Sequence, residues 1–248
     1  MKERGFHILR LQEVDSTNVY AVRLLKSRRP EEMTVIAAEY QHAGKGQGGN
    51  AWHSMPSENL LFSIIFYPGF LLPLYQFYLS KVVALGIKDV LAGYAGEGVC
   101  IKWPNDIYFD RKKIGGILIE NSLCAGRMEW SVAGVGLNIN QCRFPSSLPH
   151  AVSLRMITGE KIEREKLLQE ILFSVGQRYE QLKKGMYGVL NDHYDACLLL
   201  KGRKGKFSTS SGQFEAIVSG VSVEGELLLQ VSPDLWRSFG FKEVEFMG

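Results

Sequence analysis

The chain has 248 residues, with 46% hydrophobic side chains and a formal net charge of +3. That length suits one large domain, or one domain with a small appendage, and so mild a charge demands neither nucleic acid nor an anionic membrane as partner. The four cysteines, Cys100, Cys124, Cys142 and Cys197, show no C-x-x-C spacing, which argues against a zinc site and for reduced thiols in the cytoplasm. The start, MKERGFHILRLQEV, carries charges but no apolar core, so no secretory signal is expected.

A strand is expected over residues 6–11. Asp15, Ser16 and Thr17 then offer N-cap chemistry ahead of a helix at 17–27, whose apolar residues recur at helical spacing. A second strand, 34–40, leads into AGKGQGGNAW, where Gly44, Gly46, Gly48 and Gly49 surround the single charge of Lys45. A third strand is expected at 60–67. Residues 59–80 carry no formal charge and are long enough to suggest a membrane span, but Pro68-Gly69 and Pro73 divide them into pieces too short to cross as a helix.

A helix over 74–93 precedes strands at 98–103, 106–110, 113–120 and 129–139, the first three joined by short turns. Two more helices, 163–184 and 187–198, follow. From residue 199 the texture changes to short alternating strands, as in a small β-barrel. The expected division is therefore 1–198 and 199–248.

The glycine stretch matches the dinucleotide fingerprint G-x-G-x-x-G in letters only. That fingerprint needs a helix directly after the glycines, and here a tryptophan, a proline and then a strand follow. A Walker A loop needs Ser or Thr after the lysine, and Gly46 stands there. Kinase H-R-D and D-F-G motifs are absent from the sequence. What remains is a bend of unblocked N–H groups beside a lysine, which is suited to an anion. A plain surface hairpin would show the same letters.

A second segment, IKWPNDIYFDRKKIGGILIE, narrows the choice. Lys102 ends an otherwise apolar strand, where a lysine is costly unless it meets an anion or snorkels to solvent. Asn105 and Asp106 can bind backbone or a hydroxylated ligand, and Gly115-Gly116 interrupt a strand where a ligand or backbone approaches closely.

DSTN (15–18), EYQHAGKGQGGNAW (39–52), KWPND (102–106), KIGGIL (113–118) and GVGLNIN (134–140), in this order, resemble the biotin protein ligases, in a form without an N-terminal DNA-binding domain. The resemblance implies an α+β fold. Its catalytic domain would be a mixed, mainly antiparallel sheet packed with helices, like that of class II aminoacyl-tRNA synthetases, with a small SH3-like C-terminal barrel. It implies formation of biotinyl-5'-AMP from biotin and ATP with Mg2+, then transfer of biotin to a lysine of a biotin carboxyl carrier domain, as in acetyl-CoA carboxylase. Lipoate ligases share the adenylation chemistry and are the alternative, as is a biotin-binding module weakened in catalysis. Neither nucleic acid nor membrane is implied as partner, and both a monomer and a homodimer are compatible.

By the same resemblance Ser16, Thr17, Asn18, Gln41, Gly44, Lys45, Gly46, Gln47, Lys102 and Gly116 would bind biotin. Lys45, Gly46, Gln47, Trp52, Asn59, Lys102, Lys113 and Asn138 would bind ATP, with Lys102 and Lys45 at the reacting groups. Some of these positions also have plainer readings: Ser16 to Asn18 as a helix cap, Trp52 as a core residue, Lys113 on a solvated strand. No protein metal site is implied. Family loops of this kind are commonly G-R-G-R-x-G-R, whereas here the basic positions hold Lys45, Gln47 and Asn50. One charge remains, without arginine's bidentate fork, so retention of the adenylate is in question.

Overall fold

A computed structural model describes residues 6–247. The charged start at residues 1–5 and the last residue of the 199–248 segment lie outside the described residues. Seven strands form the main sheet: β1 (Ile8–Val14), β2 (Val35–Gln41), β3 (Leu60–Phe66), β4 (Val99–Lys102), β5 (Asp106–Phe109), β6 (Lys112–Cys124) and β7 (Arg127–Leu137). Their order is β1-β2-β3-β7-β6-β5-β4, and only β1 and β2 run parallel. The parallel pair is joined by helix α1 (Thr17–Ser27), because a parallel return needs a crossover.

Strand periodicity assigns the two faces. On β3, Phe62, Ile64 and Phe66 point into the main core, while Ile65 packs with Ala21, Ile36 and Val132 under α1. The main core is closed by α2 (Phe77–Ala95) and α4 (Arg164–Lys183), where Gly86 lets the helices touch: a methyl group there would meet Val175 Cγ2 at 2.6 Å. The helices α3 (Leu154–Thr158) and α5 (Tyr187–Ala196) complete this layer.

The uncharged run at 59–80 resolves into β3, a turn, a 3-10 turn at Pro73–Tyr75 and the start of α2. The helix expected from residue 74 thus begins at Phe77, because the 3-10 turn absorbs Pro73. No helix of the described residues is long and apolar enough to cross a membrane. The short helix α3, capped by the Ser153 hydroxyl accepting from the Met156 N–H, has no counterpart in the sequence reading; its five residues are too few to show a period.

The remaining strands, β8 (Lys204–Thr209), β9 (Gly212–Val221), β10 (Leu227–Ser232), β11 (Leu235–Phe239) and β12 (Glu245–Met247), form an antiparallel sheet in the order β11-β10-β9-β8-β12. Its edge strands β11 and β12 do not pair, so hydrogen bonds do not close it into a barrel. It is fastened to the main unit: Trp103 Nε1 donates to Gly225 O at 2.8 Å, and the Val221 N–H donates to Asp195 Oδ1 at 3.2 Å.

Candidate active site

Three glycines open a cavity on the face that α1 covers only in part. Gly116 on β6 pairs with Gly136 on β7, and Leu118 pairs with Gly134. On β7 the alternation that sends Ala133, Val135 and Leu137 into the main core turns Val132, Gly134 and Gly136 toward α1. With no side chains at these positions, Asn18 and Trp52 come down onto the sheet, and a cavity of about 510 Å³, in the range of small-molecule sites, is lined by all three glycines.

One end is rich in uncharged polar groups. Ser16, Thr17 and Asn18, at the start of α1, are all buried. Ser16 is the N-cap residue, yet its side chain makes no capping bond. Instead the Thr17 N–H and hydroxyl both donate to Gln41 Oε1, at 2.7 and 3.0 Å. Ser63 Oγ lies 2.7 Å from both Thr17 Oγ1 and Asn18 Oδ1. Asn18 Nδ2 donates to Glu120 Oε2 at 2.7 Å. Ser63 is buried and faces α1 by the same alternation that sends Phe62 and Ile64 the other way.

The other end is cationic. Lys102 ends β4 with Nζ 3.5 Å from Tyr108 Oη, over the rings of Tyr108 and Phe246. Burial holds its ammonium below the ordinary lysine value and Lys113 pushes the same way, against Asp106 and Glu245. Burial also pushes the Tyr108 hydroxyl up to about 12. Lys113 forms an ion pair with Asp106 at 2.7 Å and lies 5.8 Å from the Trp52 ring.

The glycine loop is a small hairpin. Lys45 bridges Ala51, the Gly46 N–H donates to Asn50 O at 2.6 Å, and the Trp52 N–H donates to Gly44 O at 2.9 Å. Gly48 turns it with φ +71°, a region that favours glycine. The Trp52 indole lies on the glycine floor, with Nε1 buried and unpartnered.

Of the residues singled out in the sequence, Ser16, Thr17, Asn18, Gln41, Lys45, Gly46, Gln47, Trp52, Lys102, Lys113 and Gly116 line this one cavity. Gly44, Asn59 and Asn138 do not. Gly44 is buried behind the loop, where a methyl group would meet Trp52 O at 3.0 Å. Asn59 is tied to Ser54, Gln141 and the Ile139 N–H. Asn138 donates to Val152 O. Both amides hold backbone segments together rather than facing the cavity.

Sequence reasoning missed Ser63 and Glu120, and it missed Phe241, Lys242, Val244, Glu245 and Phe246, through which the C-terminal unit walls the cavity. The pattern of β3 could have flagged Ser63, a lone hydroxyl in LLFSIIF. No local signal marks the others.

Residues 10–138 match the biotin/lipoate A/B protein ligase family. The chain is 31% identical over 239 residues to the bifunctional ligase/repressor BirA of Bacillus spizizenii, covering 95% of this chain and 73% of that protein. It is 27% identical over 228 residues to a biotin–[acetyl-CoA-carboxylase] ligase of Paracoccus denitrificans, covering 89% of this chain and 92% of that one. In fold it matches the biotin protein ligase of Aquifex aeolicus, solved in complex with biotin and ATP, with a TM-score of 0.80 at 26% identity over 97% of this chain and 98% of that one. With its motif-bearing segment and its fold both matched, the chain belongs to the biotin/lipoate A/B protein ligase family.

Proposed function

We propose that the protein is an ATP-dependent biotin protein ligase that forms biotinyl-5'-AMP and then acylates a lysine of a biotin carrier domain. The observation that carries this reading is the polarity of this cavity: uncharged hydroxyls and amides around Ser16, Thr17 and Gln41 at one end, Lys102 at the other, and Lys45 on the wall. A ureido ring needs neutral donors and acceptors. A carboxylate meeting a triphosphate needs cations.

In the first step a biotin carboxylate oxygen attacks the α-phosphorus. The bond to the bridging oxygen breaks, and pyrophosphate leaves. Lys102 neutralises the approaching anions, and the Lys45 and Gln47 N–H groups of the loop hold the phosphate, while the Gly46 N–H closes the hairpin on Asn50 O. Trp52, seated on the glycine floor of Gly116 and Gly136, offers its outer ring face to the adenine. In the second step the neutral amine of the carrier lysine attacks the mixed anhydride and AMP leaves. Closure of the hairpin over the adenylate would keep water from the anhydride.

Magnesium would come with the nucleotide. Among the described residues no group of three or more His, Cys, Asp or Glu side chains could hold a metal. Mg2+ usually relies on substrate phosphates with one or two carboxylates, and Asp106 and Glu245 are the carboxylates on the wall.

A dithiolane ring has no group to pair with the Ser16 and Gln41 amide and hydroxyl chemistry, so lipoate would leave polar atoms unmatched. The test is incubation with ATP, magnesium, a biotin carrier domain, and biotin or lipoate. Covalent biotin on one carrier lysine is expected. Labelling by lipoate in preference to biotin would overturn the assignment.

A further inference from the structure

The loop at the reacting phosphate is short of charge. Gln47 and Asn50 stand at two of its customary basic positions, and Lys113 is offset by Asp106 at 2.7 Å. A cation reaches this loop from the C-terminal unit instead. Between β11 and β12 the chain makes a tight turn, fixed by the Gly240 N–H donating to Glu243 Oε2 at 2.7 Å and by the Glu243 N–H donating to Gly240 O at 3.1 Å. Inside this turn Lys242 adopts φ +68°, a left-handed conformation costly for a side-chain-bearing residue.

That turn carries Lys242 against the hairpin. A methyl group on Gly48 would lie 2.9 Å from Lys242 Cε and 3.1 Å from its Nζ. Phe241 comes to 3.9 Å of the same point. Lys242 lines the same cavity as Lys45 and Lys102, and among the described residues it has no ion pair. Glycine at position 48 serves two needs at once: it bends the hairpin and leaves the lysine a path across it.

We propose that Lys242 is a phosphate-binding residue of the adenylation site, delivered across Gly48 by the C-terminal unit and supplying charge that Gln47 and Asn50 do not. The first half-reaction then depends on the docking of that unit through the contacts of Trp103 with Gly225 and of Asp195 with Val221. This rests on the ligase reading above.

The experiment measures pyrophosphate release against ATP concentration for the full chain and for Lys242→Met, Lys242→Arg and the double variant Lys242→Met/Gln47→Arg. Biotin binding without nucleotide and the thermal midpoint are measured alongside. Lys242→Met should raise KM for ATP roughly tenfold, as expected for one lost charge-assisted contact. Biotin binding and the midpoint should stay unchanged, since Lys242 is exposed. Lys242→Arg and the double variant should recover most of the loss. A KM for ATP equal to that of the unsubstituted chain, or a double variant no better than Lys242→Met, would overturn the Lys242 assignment alone. No pyrophosphate release by the unsubstituted chain would instead remove the ligase reading.

Discussion

Trp52 rests on the bare backbone of Gly136: a methyl group there would sit 2.4 Å from Trp52 Cε2 and 2.7 Å from its Nε1. The indole therefore fixes position 136 as glycine. Gly136→Ala should destabilise the fold by about 1–3 kcal/mol, the usual result of overpacking, and should displace the ring from the cavity floor. Trp52→Phe in the same background, with its smaller ring, should recover part of that loss. Urea midpoints of the single and double variants check this, and simple additivity would show that the two positions do not meet.

Ser63 holds the uncharged end together without lining the cavity itself. It sits 2.7 Å from Thr17 Oγ1 and from Asn18 Oδ1 in a buried setting. Ser63→Ala should cost about 1–3 kcal/mol, because acceptors lose a buried donor. It should also weaken biotin binding through the displaced Thr17 and Gln41. Calorimetric titration with biotin checks the second effect, while KM for ATP is expected to hold.

Lys102 must be protonated to neutralise anions, and burial lowers its pKa below the ordinary 10.5. Adenylation should therefore fall as pH rises through that lowered value, earlier than an unperturbed lysine would allow. Lys102→Arg, always charged, should push this alkaline limb upward. Lys102→Met should slow pyrophosphate release by about 100-fold or more, the scale of a lost transition-state contact. Initial-rate profiles from neutral to alkaline pH check both statements.

Lys81 is a second buried lysine, in α2, with Nζ donating to Asn191 Oδ1 at 2.6 Å and lying over the Phe77, Tyr78 and Tyr194 rings. Burial lowers its pKa from 10.5 to about 8, with Asp195 opposing. Below that value both folded and unfolded chains carry the proton, and the burial cost is complete. Between about 8 and 10.5 the unfolded chain binds more protons, so the folded state gains stability as pH rises. Lys81→Met should lack this gain. Unfolding midpoints of both proteins across that window should diverge in favour of the lysine form; parallel curves would contradict the prediction.

Much of the main unit was legible in the sequence because its elements are long or strictly periodic. The helices α1 and α4 and the strands β2 and β3 fall within a residue of their expected ranges, and α5 ends two residues early. The motifs around Ser16, Lys45, Lys102 and Gly116 meet in one cavity: Ser16 and Lys102 at element ends, Lys45 in the hairpin and Gly116 within β6. Asn59 and Asn138 lay close to those motifs in sequence but were drawn into backbone bonds, which a motif match does not distinguish from ligand contacts. The contribution of Lys242 and Phe246 was not legible, because it depends on how one unit docks on the other. Docking is set by contacts such as Trp103 to Gly225, 122 residues apart, which leave no local pattern.

If this cavity joins biotin to ATP, pyrophosphate should be released from ATP and magnesium with biotin, and not with lipoate or with no acid added. A folded chain that binds biotin yet releases no pyrophosphate with either acid would contradict it.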